Sequence, residues 1–221
     1  MGIKGLIYRS RLSKAWHKYT LPIRVWRTVN GFKCYMNLRD HIDEFLSDLE
    51  NREPEVLEIA RSTEGFVWDI GANIGVFALN CKGRVLAVDA SPTNIQLLVA
   101  TTDVNKIPPY KLTVWERAFT STERKYIPPE NGRSSNTVDY GGYRRSTTYR
   151  DLDRFFGIPE LIKIDIEGGE VEVMQNLGFK QFVLTNNIKV LVEIHDKDAH
   201  YWSDVKQKQI TSRHVLYNSE D

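Results

Sequence analysis

The stretch Phe66-Val67-Trp68-Asp69-Ile70-Gly71-Ala72-Asn73-Ile74-Gly75, residues 66–75, decides the fold. Its first half is a short apolar run of the kind that forms a buried strand. Its second half places glycines at 71 and 75, where the backbone can turn sharply and a ligand can come close to the main chain. A helix is predicted from there to about Asn80. The same alternation recurs downstream: strands are predicted over residues 84–88, 111–116, 161–166 and 188–194, and helices over 92–105 and 169–177. Strands that are apolar throughout and separated by helices make a parallel sheet covered on both faces. The predicted class is α/β, a doubly wound and mostly parallel Rossmann-like sheet.

Upstream the texture differs. Residues 1–39 carry nine Lys and Arg and no Asp or Glu, interleaved with Tyr8, Trp16, Tyr19 and Trp26. Residues 32–38 read as a short strand, and 40–61 as helical, interrupted or restarted at Pro54. The chain therefore divides into a basic N-terminal arm with a first strand (1–39) and an α/β domain (40–221). Within that domain, residues 119–150 break the rhythm with Ser, Thr, Gly, Pro and Tyr and are expected to form a loop or hairpin insertion, a common place for binding elements.

Composition bounds the rest. The 221 residues hold 30 Lys and Arg against 29 Asp and Glu, a formal charge of +1. That sum conceals an arm of +9 and a remainder of −8, with 21 basic against 29 acidic residues. A basic, aromatic, amphipathic arm suits an anionic membrane surface or a polyanion such as nucleic acid, or packs on the body with its cations solvated. Five Trp and nine Phe supply a core and exclude disorder as the main description. No apolar run approaches the roughly 20 residues needed to span a bilayer, and charges interrupt every candidate secretory core. Cys34 and Cys81 are too few for a disulfide framework or a four-thiolate zinc site. A cytoplasmic protein, peripheral to a membrane if the arm binds one, is the expectation.

In open α/β sheets ligands bind beyond the carboxyl ends of the strands. The first strand ends at Asp69 and its glycine turn, and the second at Asp89, whose carboxylate suits a ribose diol. Position 73 is Asn, so the Gly-x-Gly-x-x-Gly phosphate cradle is absent, and so is the Gly-Lys-Ser/Thr of a P-loop. An adenosine cofactor without phosphates fits this pattern. S-adenosylmethionine is one, and its ammonium and sulfonium favour carboxylates such as Asp69 and Asp165. The fourth strand ends Lys163-Ile164-Asp165-Ile166-Glu167-Gly168-Gly169-Glu170 and the fifth Glu193-Ile194-His195. Such polar ends on buried strands call for partners or a ligand.

The blocks Asp69-Ile70-Gly71-Ala72-Asn73-Ile74-Gly75, Asp89-Ala90-Ser91-Pro92, Leu161-Ile162-Lys163-Ile164-Asp165-Ile166-Glu167-Gly168-Gly169-Glu170 and Val192-Glu193-Ile194-His195 together resemble the FkbM-like methyltransferases. The resemblance runs from about Phe32 to His195. It implies a Rossmann-like S-adenosylmethionine-dependent enzyme, in a family whose characterised members are mostly O-methyltransferases of sugars and polyketide hydroxyls. Carried over by position, it implies that Asp69, Gly71, Ala72, Asn73 and Gly75 line the methionine and ribose side. Asp89 would hold the ribose diol and Ala118 would lie near adenine. Two features depart from the family pattern: Asp89 stands where Glu is frequent, and only some 26 residues follow His195. A helix from Ala199 to about Gln209 and a single strand over 214–217 are expected there, leaving a sheet edge that is either incomplete or completed by a second subunit.

For the chemistry, His195 is the expected general base, with Glu193 orienting it, Asp165 orienting the acceptor or the cofactor amine, and Lys163 paired with Glu167 or Asp165. Carboxylates at 165, 167 and 193 would suit Mg²⁺, but nothing in the spacing demands a metal and none is assigned. The expected acceptor is a hydroxyl of a sugar, glycolipid or small metabolite. A polyanion held by the arm and the basic residues of 119–150 is the alternative acceptor, and a binding module without catalysis the third reading.

Overall fold

The computed structural model describes residues 23–38, 40–41, 45–46, 48, 53–123, 145–166, 168–195 and 201–218. Most of the basic arm, most of the helix expected over 40–61 before Pro54, the middle of the 119–150 segment, Glu167 and Ala199 lie outside the described residues.

The first described element is a hairpin of β1 (Arg24–Val29) and β2 (Phe32–Asn37). Asn30 and Gly31 turn it with φ of 49° and 81°, two successive left-handed residues that match the twist of the flanking strands. Along β1 the residues alternate, with Arg24, Trp26 and Thr28 exposed and Val29 buried. The part of the arm expected to lie on an anionic surface or to pack on the body is thus, over Arg24–Val29, a strand. The Asn-Gly dipeptide was the signal for it.

Next come α1 (Pro54–Ser62), which starts on its proline as expected, β3 (Val67–Ile70), α2 (Val76–Asn80), β4 (Val85–Asp89), α3 (Pro92–Val104) and β5 (Leu112–Glu116). They are followed by β6 (Ala118–Phe119), β7 (Ser146–Thr147), α4 (Tyr149–Phe156), β8 (Leu161–Ile164), α5 (Glu170–Gln175), α6 (Leu177–Thr185), β9 (Lys189–Glu193), β10 (Gln207–Gln209) and β11 (His214–Tyr217). Ser91 caps α3 by accepting from Asn94 N–H at 3.3 Å, with Pro92 in the first turn. Thr148 and Asp151 form a capping box on α4.

Among the described residues the main sheet has seven strands in the order β10-β11-β9-β8-β3-β4-β5. The five strands from β9 to β5 are parallel, while β11 runs antiparallel to β9 and β10 antiparallel to β11. Every residue of β3, β4 and β8 is buried, as central strands covered on both sides require. Alternate residues feed two cores. Val67, Val85, Ala87, Leu161 and Leu191 pack toward α1, α2, α3 and the hairpin. Trp68, Ile70, Leu86, Val88, Ile162 and Val190 pack toward α4, α5 and α6.

One expectation, that for the C-terminal tail, is corrected. The C-terminal tail supplies two strands rather than a helix and one strand. Tyr201, Trp202 and Val205 lack helical structure but bury their side chains in the second core, and Gln207–Gln209 then forms β10. The sheet edge is therefore completed within the chain. Around the 119–150 segment, Ala118 and Phe119 pair with Ser146 and Thr147 in parallel, and the middle of the segment, where a loop or hairpin is expected, lies outside the described residues. No helix among the described residues is long and apolar enough to cross a membrane.

Leu86 is fully buried at the centre of β4. Leu86→Ala is expected to lower unfolding free energy by about 2–5 kcal/mol, from lost transfer energy and the cavity left behind, measured by urea denaturation with an unchanged m-value.

Candidate functional site

The order of the parallel strands reverses between β3 and β8, since the chain moves outward from β3 to β4 and β5 on one side and from β8 to β9 on the other. A crevice at that reversal is where ligands of doubly wound sheets sit. Gly71 follows β3 with φ of 78°, and a Cβ on it would lie 1.7 Å from the carbonyl oxygen of Asp165, which follows β8. Gly75 (φ 85°) would drive a Cβ to 2.3 Å from Leu98 Cδ1 of α3. Only glycine lets the turn pack this closely on both neighbours.

Between them, Ala72 is buried and Asn73 adopts a left-handed φ of 51°, which Asn tolerates better than most residues. Asn73 N–H donates to Asp89 Oδ2 at 2.8 Å, and its side-chain oxygen lies 2.9 Å from His41 Nε2. His41 is fully buried, with Nδ1 3.2 Å from the Asn37 carbonyl at the end of β2. The hairpin thus reaches the glycine loop through His41, a contact no local pattern signalled.

Asp89 ties this loop to α3. Its Oδ1 accepts from Ser91 N–H at 2.7 Å and from Asn94 Nδ2 at 3.3 Å. A carboxylate has about four acceptor positions, so with these two bonds and that from Asn73 about one remains for a ribose hydroxyl. Burial holds the Asp89 carboxyl above the usual carboxylate range despite these hydrogen bonds. Arg117 N–H donates to the Asp89 carbonyl at 3.0 Å, which brings the buried Ala118 beside the same strand end.

The second group of side chains lies around β8 and β9. Asp69 and Lys163 are in register on β3 and β8, with Lys163 Nζ 3.4 Å from Asp69 Oδ1 and 3.3 Å from Asp165 Oδ2. Asp69 is fully buried and neither of its carboxylate oxygens receives a hydrogen bond. Burial pushes the Asp69 carboxyl up, against the pull of Lys163. For Lys163, burial works against its charge, but Asp69, Asp165 and Glu193 outweigh it and hold the ammonium above its ordinary range. Asp165 is half-buried, and Lys163 and His195 keep its carboxyl below the usual range despite the desolvation. Of the two partners expected for Lys163, Asp165 is confirmed; Glu167 lies outside the described residues.

His195 contacts a residue not expected there. Its Nδ1 is 2.6 Å from Glu170 Oε1, while Nε2 lies 3.8 Å from Asp165 Oδ1 and 3.9 Å from Glu193 Oε1. The hydrogen bond to Glu170 raises the His195 pKa to about 9, against the effect of burial. Glu193, expected to orient His195, instead pairs with Arg213 Nη1 at 2.7 Å, and its Oε2 lies 3.7 Å from His214 Nε2. Among the described residues the short contact on the ring is that from Glu170. Burial and the neighbouring Asp165 push the Glu193 carboxyl up to about 7, against Arg213.

Asp165, Glu193 and His195 bring one ligand-type atom each within 4.8 Å of one another. Lys163 and Arg213 already pair with the two carboxylates, so these charges are met within the protein and we assign no metal here. For S-adenosylmethionine the residues fit. Asp69 stands on the strand that leads into the glycine loop; its Oδ1 pairs with Lys163, while its Oδ2 accepts no hydrogen bond and can meet a cationic amine, and the loop holds no phosphate cradle.

A seven-stranded sheet with an antiparallel β10–β11 edge and a glycine loop at the order reversal defines a Rossmann-like methyltransferase fold. The chain belongs to the FkbM methyltransferase family: the model of the Methyltransferase FkbM domain matches residues 69–209, from the glycine loop through β10. Among solved structures, the FkbM methyltransferase of Methylobacillus flagellatus KT is similar at 15% identity and a TM-score of 0.46, over 70% of this chain and 43% of that one. The chain thus spans less than half the length of that relative. Pyrococcus horikoshii TYW2 in complex with MeSAdo is similar at 12% identity and a TM-score of 0.49, over 98% of this chain and 84% of that one. The tRNA m1G37 methyltransferase of M. jannaschii is similar at 13% identity and a TM-score of 0.48, over 88% and 55%. No curated protein matches.

Gly71→Ala tests the junction of the two loops. A left-handed non-glycine residue alone costs about 1–2 kcal/mol, and the Asp165 carbonyl must also move, so a lower melting temperature and loss of S-adenosylmethionine binding by calorimetry are expected.

Proposed function

We propose that this protein transfers a methyl group from S-adenosylmethionine to a hydroxyl of a sugar, glycolipid or small metabolite. The observation that carries the reading is the contact between Gly71 and the Asp165 carbonyl, which sets the cofactor loop directly against a loop bearing titratable groups. When bound, the cofactor supplies an electrophilic methyl carbon. The chain's own residues hold and orient the reactants. Asp69 meets the positive end of the cofactor's amino-acid tail. Asp89 offers its remaining acceptor position to a ribose hydroxyl, while the buried Ala118 provides an apolar wall for adenine. Asp165 orients the acceptor, and His195 Nε2 removes the hydroxyl proton as the new carbon–oxygen bond forms.

The sign of the pH dependence follows from Glu170. Because His195 is held protonated up to about pH 9, the fraction able to act as a base grows as pH rises through neutrality. Turnover is expected to climb about tenfold per pH unit below that value and to level above it. His195→Ala should abolish turnover with cofactor affinity kept, and unchanged turnover would remove His195 from the mechanism. Asp89→Ala should weaken cofactor binding by calorimetry. Because the same side chain holds the Asn73 loop, circular dichroism must show a retained fold before a loss is credited to ribose.

A polyanionic acceptor is the second reading. It is favoured by the exposed outer face of the hairpin, where Arg24, Trp26 and Lys33 continue the basic arm and Trp26 stacks on Tyr35 at 4.2 Å. The arm's cations would then make binding strongly salt-dependent, with log K falling by about 0.9 per phosphate contact against log salt. An uncharged hydroxyl acceptor should show almost no such slope. Methyl transfer from labelled cofactor to panels of glycans, lipids and nucleic acids decides between them.

A further inference from the structure

Glu170 is the first residue of α5, a position where an acid is ordinarily solvated, yet it is fully buried. An ionised carboxylate there costs several kcal/mol unless hydrogen bonds meet it. Both oxygens are met. Oε2 accepts from Gly168 N–H at 2.7 Å, and Oε1 faces His195 Nδ1 at 2.6 Å. Gly168, whose N–H makes the first of these contacts, is left-handed with φ of 97°.

We propose that Glu170 is the positioning residue of His195: it holds the proton on Nδ1 and so fixes Nε2 as the nitrogen presented toward Asp165 and Glu193. A carboxylate can only accept from Nδ1. The neutral ring therefore carries its lone pair on Nε2, the nitrogen near the Asp165 loop against which the cofactor turn packs. In the protonated ring the same contact is charge-assisted and short. Among the described residues, the other charged groups around the ring are Asp165 after β8 and Glu193 on β9. Behind them stand Lys163 on β8, His214 on β11, and Arg213, which also binds Glu53 Oε1 at 3.0 Å. Asp165 and Glu193 stabilise the imidazolium from a greater distance, which leaves Glu170 as the main determinant of its proton affinity. The inference rests on the reading of His195 as the base, and the two fail in different ways.

The test is the ring-nitrogen spectrum of His195, assigned by its loss in His195→Gln and followed from acid to alkaline pH in the wild type and in Glu170→Gln. Glutamine can still accept from Nδ1 but carries no charge. In the wild type, His195 should titrate near pH 9 and its neutral form should keep the proton on Nδ1. In Glu170→Gln the titration should move down by about two units, and the acid limb of kcat/KM should move with it. Glu170→Asp, which keeps the charge, should restore part of the shift. If the limb stays while the titration moves, Glu170 keeps its part and His195 loses its part as base. A titration unchanged within about 0.3 unit in Glu170→Gln overturns the inference. So does a neutral wild-type ring protonated on Nε2, a measurement that requires no variant to fold.

Discussion

The molecule is organised around one close approach, that of the turn after β3 to the backbone after β8. A methyl group on Gly71 would sit 1.7 Å from the Asp165 carbonyl, well inside any real contact. These two strands are neighbours at the point where the sheet order reverses and a crevice opens, and Gly71 brings the turn after β3 against the backbone after β8 at that crevice. That contact joins two halves of the site that come from segments almost a hundred residues apart. On one side Asn73, Asp89 and His41 hold the glycine loop; on the other Asp165, Glu193 and His195 surround the crevice. Interiors pack densely and transmit displacement, so each half is positioned against the other.

The electrostatics follow the same division. Asp69, Asp165, Glu170 and Glu193 come together at the ends of β3, β8 and β9, and Lys163 is the buried cation that three of them share. Low dielectric strengthens these pairs while making every unmet charge costly. The group departs from ordinary behaviour in opposite directions: Asp165 is held low, Glu193 is raised to about 7 and His195 to about 9. The excess of acid over base in the body, visible already in the charge count, is concentrated in part where a cationic cofactor fits.

Much of the fold was legible. The central strands β3, β4, β8 and β9 read correctly because each is an apolar run that must be buried on both faces, a pattern few other structures produce. The hairpin strand β1 was missed because its Arg and Trp residues suggested an amphipathic surface segment, although Asn30-Gly31 marks its turn. The tail was expected to open on a helix over 199–209 because that is the family pattern, not because its own residues signal one. Over residues 201–206 the chain is not helical, yet Tyr201, Trp202 and Val205 are buried in the second core, where Trp202 packs on Phe179 and Tyr217.

By itself the sequence determined the sheet, the glycine turn, the family and the residues that gather at the strand ends. These are written in local patterns: runs of apolar residues, glycines at fixed spacing, and acids that end strands. Which side chains touch was decided only by the tertiary structure. Glu170 rather than Glu193 holds His195, Arg213 takes Glu193, and His41 reaches Asn73 from a different part of the chain. The physical reason is that a strand end fixes where a residue sits, whereas its partner depends on how neighbouring loops bend. Those bends come from packing between distant segments, and no residue's own neighbours in sequence record them.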